Sequence, residues 1–223
     1  MIHGFKGKCV TTVEEWLIDY SLRTGNVVDV NPDLISMPIR FDGKEIDAFI
    51  LDVIDNKLVI QLVLPMVELF DGESNRYATS YVRKLINSNE FLHRFNSEFV
   101  KRIQMTEVHT EDYVTNDKLW LLSHEEVNPI KSSLVDFRSN DRCTVFEMFK
   151  TIDLATYSQM LLRLNGKTSY GWWLRSSASS VLISSSRYVG FVNDSGYMNG
   201  YSHYTIDLGS LLPACTICWS SQP

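Results

Sequence analysis

Gly171-Trp172-Trp173-Leu174-Arg175-Ser176-Ser177 places two indoles and one guanidinium within seven residues. If this run is a strand, adjacent side chains point to opposite faces. The two indoles then diverge, and the expectation is one in the core and the other partly exposed or under a loop. An indole has so much apolar area that at least one must be core. Arg175 falls on the same face as Trp173. An arginine there is expected to bond loop carbonyls or a carboxylate rather than a ligand. Trp172, Trp173 and Arg175 are therefore read as structural support for the segment C-terminal to them.

That segment has a different composition. Residues 176–204 are crowded with Ser, Tyr, Asn and Gly. Tyrosines give large contact area at low entropy cost, and Ser, Asn and Gly adapt by hydrogen bonding, so this is the composition of a binding surface. The candidate ligand-binding residues are Ser184, Ser186, Tyr188, Asn193, Tyr197, Asn199, Tyr201, His203 and Tyr204. Residues 187–193 alternate like a strand, Asp194-Ser195-Gly196 is turn chemistry, and residues 197–201 begin the return. Residues 208–219 read as one final apolar strand.

Upstream the chain reads as scaffold. Thr12 and Glu15 have the spacing of a capping box, and Val13, Trp16, Leu17 and Tyr20 lie on one helical face up to Gly25-Asn26. Residues 36–64 read as a β-meander with turns at Asp42-Gly43 and Asp55-Asn56. Asp47 and Asp52 diverge on a strand and are expected on a solvated sheet face. Residues 74–103 are helical with a break near residues 87–89, and Tyr77, Tyr81, Leu85 and Ile86 are expected to share a face. Residues 118–122 are a buried-strand candidate, after which Ser123 caps a short turn containing Glu125 and Glu126. Residues 144–164 hold a further helical pattern. The organisation expected is an N-terminal helix and extension over residues 1–35 and one domain over residues 36–223, together a single globular unit.

Composition narrows the function. A net charge of −6 leaves no basic excess for a nucleic-acid backbone as main partner. No apolar run is long enough for a membrane span, and the N-terminus has no hydrophobic signal segment. The expected location is the cytoplasm or a virion. Cys215-Thr-Ile-Cys218 has the spacing of a metal or redox pair, but no second pair or histidine lies close in sequence. Cysteine as a small strand hydrophobe is the better reading, so no cofactor and no metal is expected. No nucleophile–base–orienter set is visible, and His203 is the single histidine in the Ser/Tyr region.

Three separated motifs resemble a known family. Trp172-Trp173-Leu174-Arg175-Ser176, then Val192-Asn193-Asp194-Ser195-Gly196, then Pro213-Ala214 are similar to its Trp-Leu-Arg-Ser-Pro, Val-Asn-x-x-Gly and Gly-Val-Arg-Pro-Ala. Upstream, Ser80, Arg83 and Asn87 with Phe91-Leu92 resemble its Ser-x-x-Arg-x-Trp-Leu-Asn and subsequent Phe-Leu. Asn116-Asp117-Lys118-Leu119-Trp120-Leu121-Leu122-Ser123 resembles its Thr-Asp-Lys-x-Phe-Leu-Leu-Ser-x-x-Glu. The family is a bacterial and phage domain of unknown function with a C-type-lectin-like fold. It is related to formylglycine-generating enzymes and to the variable proteins of diversity-generating retroelements. Ser177 and Leu211-Leu212 depart from its pattern, and residues 1–35 have no counterpart. The resemblance implies an α+β fold: helices packed on a small twisted antiparallel sheet, with a long C-terminal loop region that carries recognition. Oxidase chemistry of the formylglycine-generating kind needs a reactive cysteine pair in the closing strand. Pro213 stands at the first of those places, and Cys215 and Cys218 are displaced from it.

The expected function is a non-enzymatic recognition protein, phage- or prophage-encoded, presenting the Ser/Tyr/Asn-rich surface to a protein or glycan target. The alternative is a cytoplasmic phage inhibitor of a host protein, acting through an acidic face that includes Glu68, Asp71 and Glu73. Homo-oligomerisation is compatible with either.

Overall fold

The computed structural model describes residues 1–6, 9–26, 28, 36–55, 57–110, 113–127, 144–150, 171–177, 188–196, 198–199 and 205–218. The fold is α+β. Two principal sheets share one core, and short helices pack around them.

The first sheet begins with β1 (Ile2–Lys6) and β2 (Cys9–Thr11), which lead into α1 (Val13–Thr24). The capping box of α1 is formed on both sides: Thr12 Oγ1 accepts from the Glu15 amide at 3.2 Å, and the Thr12 amide donates to Glu15 Oε2 at 3.3 Å. Gly25 ends the helix in the left-handed region at φ 74°. Trp16 of α1 is fully buried. β3 (Arg40–Phe41) and β4 (Lys44–Glu45) form a tight hairpin through Asp42 at φ 50° and Gly43 at φ 74°. Positive φ at both central residues is the geometry that matches strand twist. β5 (Ala48–Ile54) and β6 (Lys57–Leu62) come next. The sheet is completed from far along the chain by β8 (Ile103–Gln104) and β15 (Ala214–Cys218), giving the order β2-β1-β5-β6-β15-β8.

The second sheet has the order β13-β12-β11-β14-β7. Its strands are β7 (Val67–Leu69), β11 (Trp172–Ser177), β12 (Val189–Val192), β13 (Met198–Asn199) and β14 (Leu208–Ser210). Between β7 and β8 lie a 3-10 turn at Tyr77–Thr79, then α2 (Tyr81–Ile86), α3 (Asn89–Leu92) and α4 (Ser97–Arg102). These helices bring Phe91, Phe95 and Phe99 together with Phe41 of the hairpin, at ring spacings of 4.8 to 6.1 Å. β9 (Thr106–His109) pairs with β10 (Val114–Asp117), and α5 (His124–Val127) and α6 (Glu147–Lys150) complete the described elements.

Several expectations need correction. The two principal sheets are not purely antiparallel, since β1 runs parallel to β5 and β11 parallel to β14. β1 and β2 are strands of the first sheet, and α1 packs against β1 and the core. Residues 118–122 are not a strand. Trp120 alone makes a two-way bridge to Ala214, at 3.0 and 2.7 Å. Residues 208–219 are not one strand either: the chain crosses at Leu211-Leu212-Pro213 from β14 in the second sheet to β15 in the first. Tyr81 is 42% exposed, because Ser80 starts a new helix there and turns the residue outward. Asp52 is not on a solvated face. It is 7% exposed, and the register slips between Ile50 and Asp52.

Candidate functional site

Both indoles of the Gly171–Ser177 run are fully buried, so neither is the partly exposed one that strand alternation allowed. The reason is the position of β11, the central strand of its sheet and covered on both faces. Trp173 packs against Phe191 at 4.8 Å and Phe70 at 5.9 Å, and its Nε1 donates to the Glu68 carbonyl at 2.8 Å. Gly209 makes room for it, since a Cβ there would lie 2.6 Å from two atoms of the indole. On the other face, Trp172 Nε1 is buried with no hydrogen-bond partner among the described residues.

β11 pairs with β12 at Trp173↔Phe191 and again at Ser177↔Val189, with a register shift between them. In that gap the strand turns to another partner: the Arg175 amide donates to the Leu122 carbonyl at 2.8 Å. The Arg175 side chain is buried and bonds on three sides. Its Nη1 and Nη2 hold Glu126 at 2.5 and 2.9 Å, Nη1 also donates to the Leu121 carbonyl at 2.8 Å, and Nε donates to the His109 carbonyl at 3.2 Å. Glu126 is fixed in turn by a second capping box. The Ser123 amide donates to Glu126 Oε2 at 2.8 Å, and the Glu126 amide donates to Ser123 Oγ at 3.1 Å. One residue on from Arg175, Ser176 Oγ accepts from the His124 amide at 2.8 Å. Burial lowers the His124 imidazole to a pKa of about 4.

A second buried ion pair stands behind the first. Arg83 of α2 forks onto Asp117 at 2.7 to 3.0 Å and donates to the Ala78 carbonyl at 2.8 Å, while Thr115 Oγ1 donates to Asp117 at 2.8 Å. Asn87 holds residues 118 and 119 by accepting from both amides and donating to the Leu119 carbonyl at 2.8 Å. The Tyr77 hydroxyl accepts from the Leu121 amide at 3.2 Å, and burial pushes its pKa far up. The motif residues Ser80, Arg83, Asn87, Asp117, Ser123, Glu126 and Arg175 thus clamp residues 117–123 between α2 and β11. Sequence reading did not find the Glu126–Arg175 and Arg83–Asp117 partnerships. The Ser-x-x-Glu spacing at Ser123 was the available signal for the first.

The candidate ligand-binding residues are only partly described. Ser184, Ser186, Tyr197, Tyr201, His203 and Tyr204 lie outside the described residues. Tyr188 is half-buried at the foot of β12, where its carbonyl accepts from Asn75 Nδ2 at 2.8 Å. Asn193 shapes the turn after β12, its Oδ1 accepting from the Ser195 amide at 3.0 Å. Asn199 pairs with Phe191 through the β13 backbone. Of the acidic residues, Glu68 and Asp71 are half-buried and Glu73 is exposed.

Cys215 and Cys218 sit three apart on β15, so they face opposite sides, and burial raises the Cys215 thiol far above its ordinary pKa. No group of three metal-ligating side chains occurs among the described residues, and no described helix is long and apolar enough to cross a membrane.

No curated protein and no solved structure matches this chain. The family comparison does give a match: residues 61–219, well over half the chain, fit a domain of unknown function, DUF6273, and the protein belongs to that family.

Proposed function

We propose that this protein is a non-enzymatic recognition module of C-type-lectin-like design. It presents residues 176–204 to a protein or glycan target, as a receptor-binding or accessory component of a phage or prophage. The observation that supports this reading is how the segment is held. Residues 178–187 join two strands that are hydrogen-bonded to each other and buried. One foot is braced by the Arg175–Glu126 pair and the Ser176–His124 contact, the other by Asn75. A rigid stem under an adaptable Ser- and Tyr-rich segment keeps the ordering cost of binding low. The Arg175 guanidinium is committed to the stem, so target contacts fall to the tyrosines.

The test is replacement of Tyr188, Tyr197 and Tyr201 by Ala. Capture of the target from host lysate should be lost while the melting temperature stays nearly unchanged. If all three substitutions instead unfold the protein, the tyrosines are core and this reading fails. Binding through tyrosines should also change little between low and high salt, whereas binding through an acidic face weakens steeply.

A further inference from the structure

A trough of about 380 Å³ lies on the first sheet. Its volume is within the roughly 300–1,000 Å³ range of small-molecule sites. The register explains its floor. Val59 pairs with Thr216, and Thr216 with Gln104, so these three form one row across β6, β15 and β8. Trp120, Thr106 and Glu107 form walls, and the Arg175–Glu126 pair closes one end. Most of this sheet buries aliphatic side chains, yet two of the three residues in this row, Thr216 and Gln104, are polar.

We propose that the trough binds a neutral, hydroxyl-rich ligand, a sugar ring. Thr106 Oγ1 donates to Thr216 Oγ1 at 2.9 Å. Two hydroxyls joined by one bond share one hydrogen, so one O–H is left to donate. Gln104 donates to the Arg102 carbonyl at 3.3 Å, which leaves its own side-chain oxygen as an acceptor. Glu107 meets His109 at 2.8 Å through one oxygen and keeps the other. Such mixed donors and acceptors match hydroxyls, which both give and accept hydrogen bonds. The charged groups at the trough come mostly as neighbours of opposite sign. Arg175 and Glu126 cancel each other, Glu107 faces His109, and Lys57 and Asp55 at the rim have opposite signs.

The experiment is saturation-transfer NMR on the full chain. The probes are glucose, N-acetylglucosamine, the β-1,4-linked tetrasaccharide of each, and alanine as a zwitterionic control. Transfer to sugar ring protons is expected. Thr216→Val should weaken it about tenfold, as loss of one hydrogen bond does. A signal from the monosaccharides identifies a free sugar as the ligand; a signal confined to the tetrasaccharides identifies a glycan end. Thr216→Val should leave capture of the host target unchanged, which separates this site from the proposed tyrosine surface. Should Thr216→Val fail to fold, Glu107→Ala on the exposed rim takes its place. The proposal is overturned if no sugar shows transfer, if the trough variants leave it unaltered, or if alanine displaces the sugars.

Discussion

At the scale of single residues, the Arg175–Glu126 pair dominates. A buried ion pair adds little net stability over a well-packed apolar pair, but removing one partner strands the other charge. Glu126→Ala should therefore destabilise the fold by about 3–5 kcal/mol, read as a lower urea midpoint. The double change Arg175→Met with Glu126→Leu should recover most of that loss. If the single variant is as stable as the parent, the pair is not the brace described. His124 makes a separate prediction about pH. The folded imidazole titrates near 4 and the unfolded one at its ordinary 6.5, so between those values the unfolded state holds more protons. Stability should be complete above pH 6.5 and fall as the pH drops toward 4. His124→Gln should flatten that part of the acid limb in pH-dependent melting curves.

Elements were legible where the local pattern was also the tertiary answer. The Thr12–Glu15 box, the Asp42-Gly43 turn and the β5–β6 hairpin could be read from sequence because near neighbours determine them. The errors arose where a distant strand set the outcome. Trp172 and Trp173 are both buried because β11 is covered on both faces, and nothing near residue 172 encodes that. Residues 208–219 look like one apolar run, and only the placement of two sheets divides it. Asp52 looked solvated because the alternation rule assumes no bulge. Its carboxylate instead ties β5 to α6, accepting from the Val53 amide at 2.7 Å and the Glu147 amide at 3.1 Å. Burial raises its pKa above the ordinary 3.8 against the Glu147 and Val53 amides, which favour the charged form; the Glu147 carboxylate opposes that form and Lys150 assists it. A raised acid binds its proton more tightly when folded, so this group costs stability as the pH rises through that window. Asp52→Asn should therefore gain on the parent as pH rises from 4 to 7 in urea titrations; a constant difference would rule out the linkage. Most of the candidate surface could be judged only from composition, because Ser and Tyr content says what a segment can touch and nothing about where it lies.

At the scale of the whole molecule, the family match begins at residue 61, but the folded unit does not. β1 pairs with β5, β5 with β6, and α1 buries Trp16, Leu17 and Tyr20 in the same core. Residues 61–219 expressed alone should lack cooperative thermal unfolding, while the full chain shows a single transition. A cooperative melt of the shorter piece would mean that residues 1–60 are an accessory layer.

β15 lies between β6 and β8, joined to both. It is also made after every other described strand. During synthesis β6 therefore keeps one edge unpaired and β8 has no partner strand until residue 218 has left the ribosome. Such open edges recruit foreign strands. Nascent chains arrested before residue 214 should remain protease-sensitive and bind chaperones, whatever the state of α1 or the hairpins. The last of the described strands to be made thus decides whether the first ones can close into a sheet.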